Sequence, residues 1–223
     1  MKNNEQSIAI RIAQSDEDRA AVYRFRYEVY VEELGWKQHY ANHERRKVEE
    51  PLDATGVIVA AFQGDEVVGT VRRNFGLTCD LGYYLELCEM AKYAGDAYPR
   101  QVSMTTKMLV AAAHRNSLLP TRIGIEAYRA TWNMGARLDF ITVDVNLKHL
   151  ERYYKRIGYV EYREPAEHPE FGPSRLMVCR FRDLSHLIKV RSPYVDVCRE
   201  CLAADAHKPQ EKIPLVASVA AYA

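Results

Sequence analysis

Arg26 occupies a position that ordinarily faces a core. Val22, Phe25 and Val29 fall at helical spacing, and Arg26 lies within the same stripe. A guanidinium there either packs its stem and lifts its head into solvent, or is buried against a carboxylate in a two-pronged contact. The second arrangement is the expectation. Other reactive residue types form no chemical pattern. The seven histidines have no metal-ligand spacing, and no metal site is expected. His114 and His149 are possible bases, but single loop histidines are more often structural. The five cysteines are odd in number and scattered, so reduced thiols in a cytosol are the expectation. Cys198 and Cys201 form a lone C-x-x-C and read as two small residues on a C-terminal helix.

Composition narrows the class further. The 223 residues are 48% hydrophobic, enough for one sizeable core with an extension. The boundaries expected are 1–190 for the main domain and 191–223 for a helical and polar C-terminal extension. Thirty-one basic and 30 acidic residues leave a net charge of +1, which gives no global attraction to nucleic acid or membrane. The N-terminus carries no apolar run of signal-peptide length, no stretch approaches the ~20 apolar residues of a spanning helix, and a cytoplasmic location is expected.

The elements that must position Arg26 follow from periodicity. "IAIRIA" at 8–13 alternates as a strand. Ser15 and Asp18 form a capping box for a helix that runs to about Leu34 and stops at Gly35. Residues 36–54 are polar and read as a long loop or short helix. "GVIVAAF" and "EVVGTVRR" flank Gln63-Gly64-Asp65 as a hairpin. One short helix with loops is expected over 74–99. "QVSMTTKMLVA" reads as a strand with Val102, Met104, Met108 and Val110 on one face. A helix over about 120–134 carries Ile123, Ala127, Ala130 and Met134 and stops at Gly135. "LDFITVDV" is a strand, 147–157 a helix closed by Gly158, and "YVEYRE" and "RLMVCRF" two further strands. A hairpin followed by strand–helix–strand–helix gives an α/β (α+β) chain with a mixed central sheet and helices on both faces.

This order resembles the GNAT acyltransferase fold. "RYEVYVEELGW" is similar to the R-x-x-V-F-x-x-x-L-G-W signature of acyl-homoserine-lactone synthases and N-acyl amino acid synthases, with Arg26, Val29, Leu34, Gly35 and Trp36 in place and Tyr30 for Phe. Glu50 and Asp53 fall where those synthases carry spaced carboxylates. Arg72 falls on the arginine ending the hairpin. "TTKMLV" resembles Ser-Arg-x-x-V, with Thr106 for Ser and Lys107 for Arg. "NLKHLERYYKRIGY" resembles N-x-x-A…Y-x-x-x-G-F through Asn146, Tyr154, Gly158 and Tyr159. The resemblance spans residues 8 to about 190. Three departures stand out. Met104 replaces the glutamate before the Ser-Arg pair, Val48 replaces a third carboxylate, and the loop Arg115–Pro120 lacks the glycines of the coenzyme A pyrophosphate loop.

The resemblance implies an N-acyltransferase. It would move an acyl group, expected to be long, from an acyl carrier protein or acyl-CoA thioester to the primary amine of an amino acid or similar small molecule, with no acyl-enzyme and no bound cofactor. Such chemistry needs a base for the ammonium proton, donors for the oxyanion, an acid for the thiolate and an apolar channel. Glu50 and Asp53 are the implied base or ammonium-holding groups, and Tyr154 the implied acid. Arg26 pairs with one of those carboxylates or with the acceptor. Trp36, Arg72 and Thr106 belong to the substrate side. Met108, Leu109 and Val110 present backbone N–H groups to the donor, and Arg115, Ser117 and Thr121 surround a helix start that can take a phosphate. Loss of the loop glycines points to a donor on a carrier protein. The alternatives are an acyl-homoserine-lactone synthase using S-adenosylmethionine, a short-chain acetyltransferase, and a non-catalytic acyl- or carrier-binding module.

Overall fold

The computed structural model describes residues 7–206. β1 (Ile8–Ile12) leads to α1 (Asp16–Tyr27), whose first turn is acidic and whose Ser15 side chain accepts from the Asp18 N–H at 3.1 Å. The helix expected to reach about Leu34 is α-helical only to Tyr27. It then widens into a π-helix, Glu28–Glu33, in which the Leu34 N–H reaches the Val29 carbonyl at 3.0 Å. Gly35 takes φ 66°, and the Trp36 N–H donates back to the Tyr30 carbonyl at 2.8 Å. The segment expected as a loop or short helix holds a small hairpin, β2 (Ala41–Asn42) and β3 (Lys47–Val48), and a 3-10 turn, Pro51–Asp53.

β4 (Val57–Gln63) and β5 (Glu66–Phe75) form the expected hairpin. Two short helices follow rather than one, α2 (Tyr83–Leu87) and α3 (Met90–Ala94). Then come β6 (Val102–Val110), α4 (Leu119–Asn133), β7 (Leu138–Asp144), α5 (Lys148–Ile157), β8 (Val160–His168) and β9 (Gly172–Arg180). Gly158, at φ 118°, closes α5 as expected. α6 (Leu184–Lys189) and α7 (Val195–Ala206) end the described chain. Cys198 and Cys201 of α7 are buried in the core, and the rest of the expected extension, 207–223, lies outside the described residues.

The seven main strands form one mixed sheet in the order β1-β4-β5-β6-β7-β9-β8, with only β6 and β7 parallel. α1, α2 and α3 cover one face over Ile58, Ala60, Phe62, Met104, Phe140 and Val178. α4, α5 and α7 cover the other over Val59, Val71, Val110, Ile141, Val143 and Met177. The expectation that Val102, Met104, Met108 and Val110 share a face is corrected here. Val102 and Met104 pack toward α2 and α3, whereas Met108 and Val110 pack toward α4. The register shift between Thr70 and Arg72 sets two β6 residues, Lys107 and Met108, against Val71 alone. This is a β-bulge with Lys107 at φ 55°, and it reverses the alternation beyond it.

Candidate active site

β6 and β7 are paired only where Val102–Met104 face Leu138–Phe140. Beyond that point they part. Asp139 fixes the last paired rungs: it accepts from Ser103 at 2.5 Å, Thr105 at 2.6 Å and the Tyr159 hydroxyl, and it pairs with Arg73 at 2.9 Å. All four partners are buried, so the base of the opening is rigid. The gap above holds a cavity of about 1100 Å³. Met108, Leu109 and Val110 form one wall, Ile141 and Val143 the other, with Leu150, Tyr153 and Tyr154 of α5 closing the end and Tyr30 and Trp36 at the opposite side.

A backbone donor points into this gap. The Ala111 N–H bonds the Val68 carbonyl at 3.0 Å, and Gly69 faces Val110 in the next rung. Alternation in an antiparallel ladder therefore turns the Val110 peptide away from β5 and toward the parted β7. Arg115 steadies it, donating from Nε to the Val110 carbonyl at 3.0 Å while meeting Glu33 at 2.5 Å.

Beside the cavity lies a buried charge cluster. Arg26 is 0% exposed and Asp53 1%. Arg26 Nη1 donates to both Asp53 oxygens at 2.8 Å, so the expected two-pronged contact is made by one nitrogen; Nε and Nη2 have no partner among the described residues. Asp53 also accepts from the Glu50 N–H at 2.7 Å, the backward half of a capping box around Pro51. Arg72 joins the two carboxylates, with Nη1 3.0 Å from Asp53, Nη2 2.7 Å from Glu50 and Nε 3.0 Å from the Thr106 hydroxyl. Lys107 pairs with the second Glu50 oxygen and lies 5.2 Å from the Tyr30 ring centre. Burial alone would raise both carboxyls, but Lys107 and Arg72 at Glu50, and Arg26 and Arg72 at Asp53, outweigh it and hold both below the usual carboxylate range.

The structure thus gathers Arg26, Glu50, Asp53, Arg72 and Thr106 into one cluster. Glu50 and Asp53 lie behind the cavity wall, and Lys107 and Thr106 of that cluster line it. Trp36 stacks on Tyr30 with centroids 5.7 Å apart. Tyr154 lines the cavity, and burial lifts its phenol well above the ordinary range. Tyr153 beside it is pushed up to about 12 by burial. Ser117 serves its own turn, donating to the His114 carbonyl at 2.7 Å and accepting from the Leu119 N–H at 3.1 Å. Neither Ser117 nor Thr121 lines the cavity, whereas Arg115 does.

Sequence reasoning missed Glu170 and Phe171, which line the cavity from the turn between β8 and β9. Nothing in "EHPEFG" separates them from exposed turn residues. It also missed Asp139, for which a carboxylate inside the apolar "LDFITV" was an available signal. Among the described residues no group of His, Cys, Asp and Glu is placed to hold a metal, and no helix is long and apolar enough to cross a membrane.

No protein-family model matches the chain, and no curated protein matches it in sequence. Solved structures match it in fold. FeeM, an N-acyl amino acid synthase from uncultured soil microbes, superposes with a TM-score of 0.63 at 13% identity, over 82% of this chain and 96% of that one. BjaI, a CoA-dependent acyl-homoserine lactone synthase solved with SAM and isopentyl-CoA, gives 0.62 at 15%, over 88% and 98%. An acyl-CoA N-acyltransferase from Pseudomonas aeruginosa gives 0.53 at 14%, over 78% and 98%. The chain has the GNAT-type acyltransferase fold that the order of its elements resembles.

Proposed function

We propose that this protein is an N-acyltransferase that moves an acyl group from a thioester directly to a primary amine of an amino acid or similar small molecule. The observation that carries the reading is the parted β6–β7 pair, which sets the Val110 N–H over a large, mostly apolar cavity. That N–H can hold the thioester carbonyl and its oxyanion, while the space toward Leu150 takes the acyl chain. Direct transfer fits the thiols: none of the five cysteines lines the cavity, and burial raises Cys88 to about 12 and lifts Cys179 further. Tyr154, protonated over the whole working range, is the proposed donor to the leaving thiolate. Every oxygen of Glu50 and Asp53 is engaged, so their proposed role is to position Lys107 and Arg72 against the wall.

The donor we favour is an acyl group on a carrier protein. The loop before α4 offers few free N–H groups for a pyrophosphate: that of Leu119 is taken by Ser117, and Pro120 has none. Met104 is buried in the core, so the glutamate expected of a homoserine-lactone synthase has no substitute at that position. The test is acylation of the twenty amino acids and phenethylamine by dodecanoyl-carrier protein, dodecanoyl-CoA and acetyl-CoA, read by mass spectrometry. Amide formation above the uncatalysed rate supports the reading; no amide with any pair would overturn it.

A further inference from the structure

We propose that Glu170 is the acceptor-binding carboxylate and general base of this site, taking the ammonium group of a primary amine against an aromatic wall. The inference rests on the acyltransferase reading and adds to it the residue that receives the nucleophile.

Glu170 and Asp144 are the two carboxylates on the cavity wall. Asp144 is used in its own turn, accepting from the Asn146 N–H at 2.8 Å. Glu170 is different. Its Oε2 is buried and has no hydrogen-bond partner among the described residues. Its nearest cation, Lys107 Nζ, is 4.0 Å away and already holds Glu50. A buried carboxylate oxygen without a donor is costly unless a ligand supplies one. The ligand must be a donor, and the surroundings select a cation. Phe171 lies 5.7 Å from the Trp36 ring, and Trp36 stacks on Tyr30. Ring faces beside a carboxylate favour an ammonium group.

The turn is held for this role. The Glu170 N–H donates to His168 Nδ1 at 3.1 Å, which leaves the ring proton on Nε2, 3.3 Å from the Tyr83 hydroxyl. The His168 ring stacks on Phe171 with centroids 4.6 Å apart.

The chemistry balances without a co-reactant. Glu170 takes one proton from R–NH3+, freeing the amine lone pair. The C–N bond forms at the thioester carbon and the C–S bond breaks. Tyr154 gives its proton to the departing thiolate and takes the second amine proton in its place, and Glu170 releases the first to solvent.

The test compares wild type with Glu170→Gln, Glu170→Asp and, as a control on the exposed part of the hairpin, Glu167→Gln. The substrates are dodecanoyl-CoA or dodecanoyl-carrier protein and whichever of the twenty amino acids and phenethylamine wild type acylates fastest. At pH 7, Glu170→Gln should lower kcat/KM by about a hundredfold or more, with acceptor KM raised. The deficit should shrink above pH 9, where free amine is supplied by solvent. Glu170→Asp should recover part of the rate, and Glu167→Gln all of it. A pH-independent loss with unchanged acceptor KM, or a Glu170→Gln rate within twofold of wild type, would overturn the assignment while leaving the acyltransferase reading intact. Wild type that acylates no amine would remove both. Circular dichroism of each variant separates these outcomes from misfolding.

Discussion

At the scale of single residues, Arg26 and Glu170 show opposite kinds of legibility. Arg26 was readable because a charge in an apolar stripe demands a partner, and only carboxylates nearby in the fold can supply it. Arg26→Met leaves Asp53 buried beside Arg72 alone, and the loss should be ~3 kcal/mol, at the lower end for a broken buried pair. Arg26→Lys should recover part of this, because Nη1 makes both contacts and an ammonium can imitate one nitrogen. Urea unfolding of the two variants measures it; an unchanged midpoint for the Met variant would show that the pair contributes nothing. Glu170 was not readable, because its distinction is an oxygen without a partner, which is a property of the folded surroundings and leaves no trace in composition.

At the scale of elements, strands and helices follow their periodicities wherever the backbone is regular. Two irregular stretches escaped: the π-turn after Tyr27 and the bulge at Lys107. Both preserve residue types that suit the regular element, so no pattern marks them. The β8–β9 hairpin carries a prediction of its own. Burial, with a smaller push from Lys107, lowers His168 from 6.5 to about 4. Its neutral form is the one the fold favours, so the unfolded chain binds the extra proton first. Stability is therefore complete above pH 6.5 and declines as pH falls toward 4, by about 3 kcal/mol in all. His168→Asn keeps a side-chain acceptor for the Glu170 N–H and removes the titration. Its stability should be flat between pH 6.5 and 4.5, where wild type slopes. Denaturant midpoints across that window decide it, and equal slopes would place the proton elsewhere. Below pH 4.5 the depressed carboxyls of Glu50 and Asp53 add a second, steeper loss in both proteins.

At the scale of the molecule, the order of elements was enough to give the mixed sheet and its two covered faces, since short connections leave few other arrangements. The opening between two central strands was implied only through resemblance. Its size sets a prediction about donors. A cavity of about 1100 Å³ lies just above the ~300–1,000 Å³ usual for small ligands, and an acetyl group would leave most of it wet. Dodecanoyl donors should therefore exceed acetyl-CoA in kcat/KM by about a hundredfold, from about 3 kcal/mol of buried chain; steady-state comparison checks it, and a preference for acetyl-CoA would contradict it. The bulge at Lys107 finally gives β6 something like an elbow. One surplus residue bends the strand where it leaves β7, so position 107 cannot vary in number, and its identity is tied to the buried Glu50 that it pairs with. Deleting Lys107 would leave Met108 opposite Val71 and Val110 opposite Gly69 but straighten β6 and draw it back toward β7, narrowing the gap. A lineage carrying this fold could exchange substrates through its walls for as long as it never lost that single count.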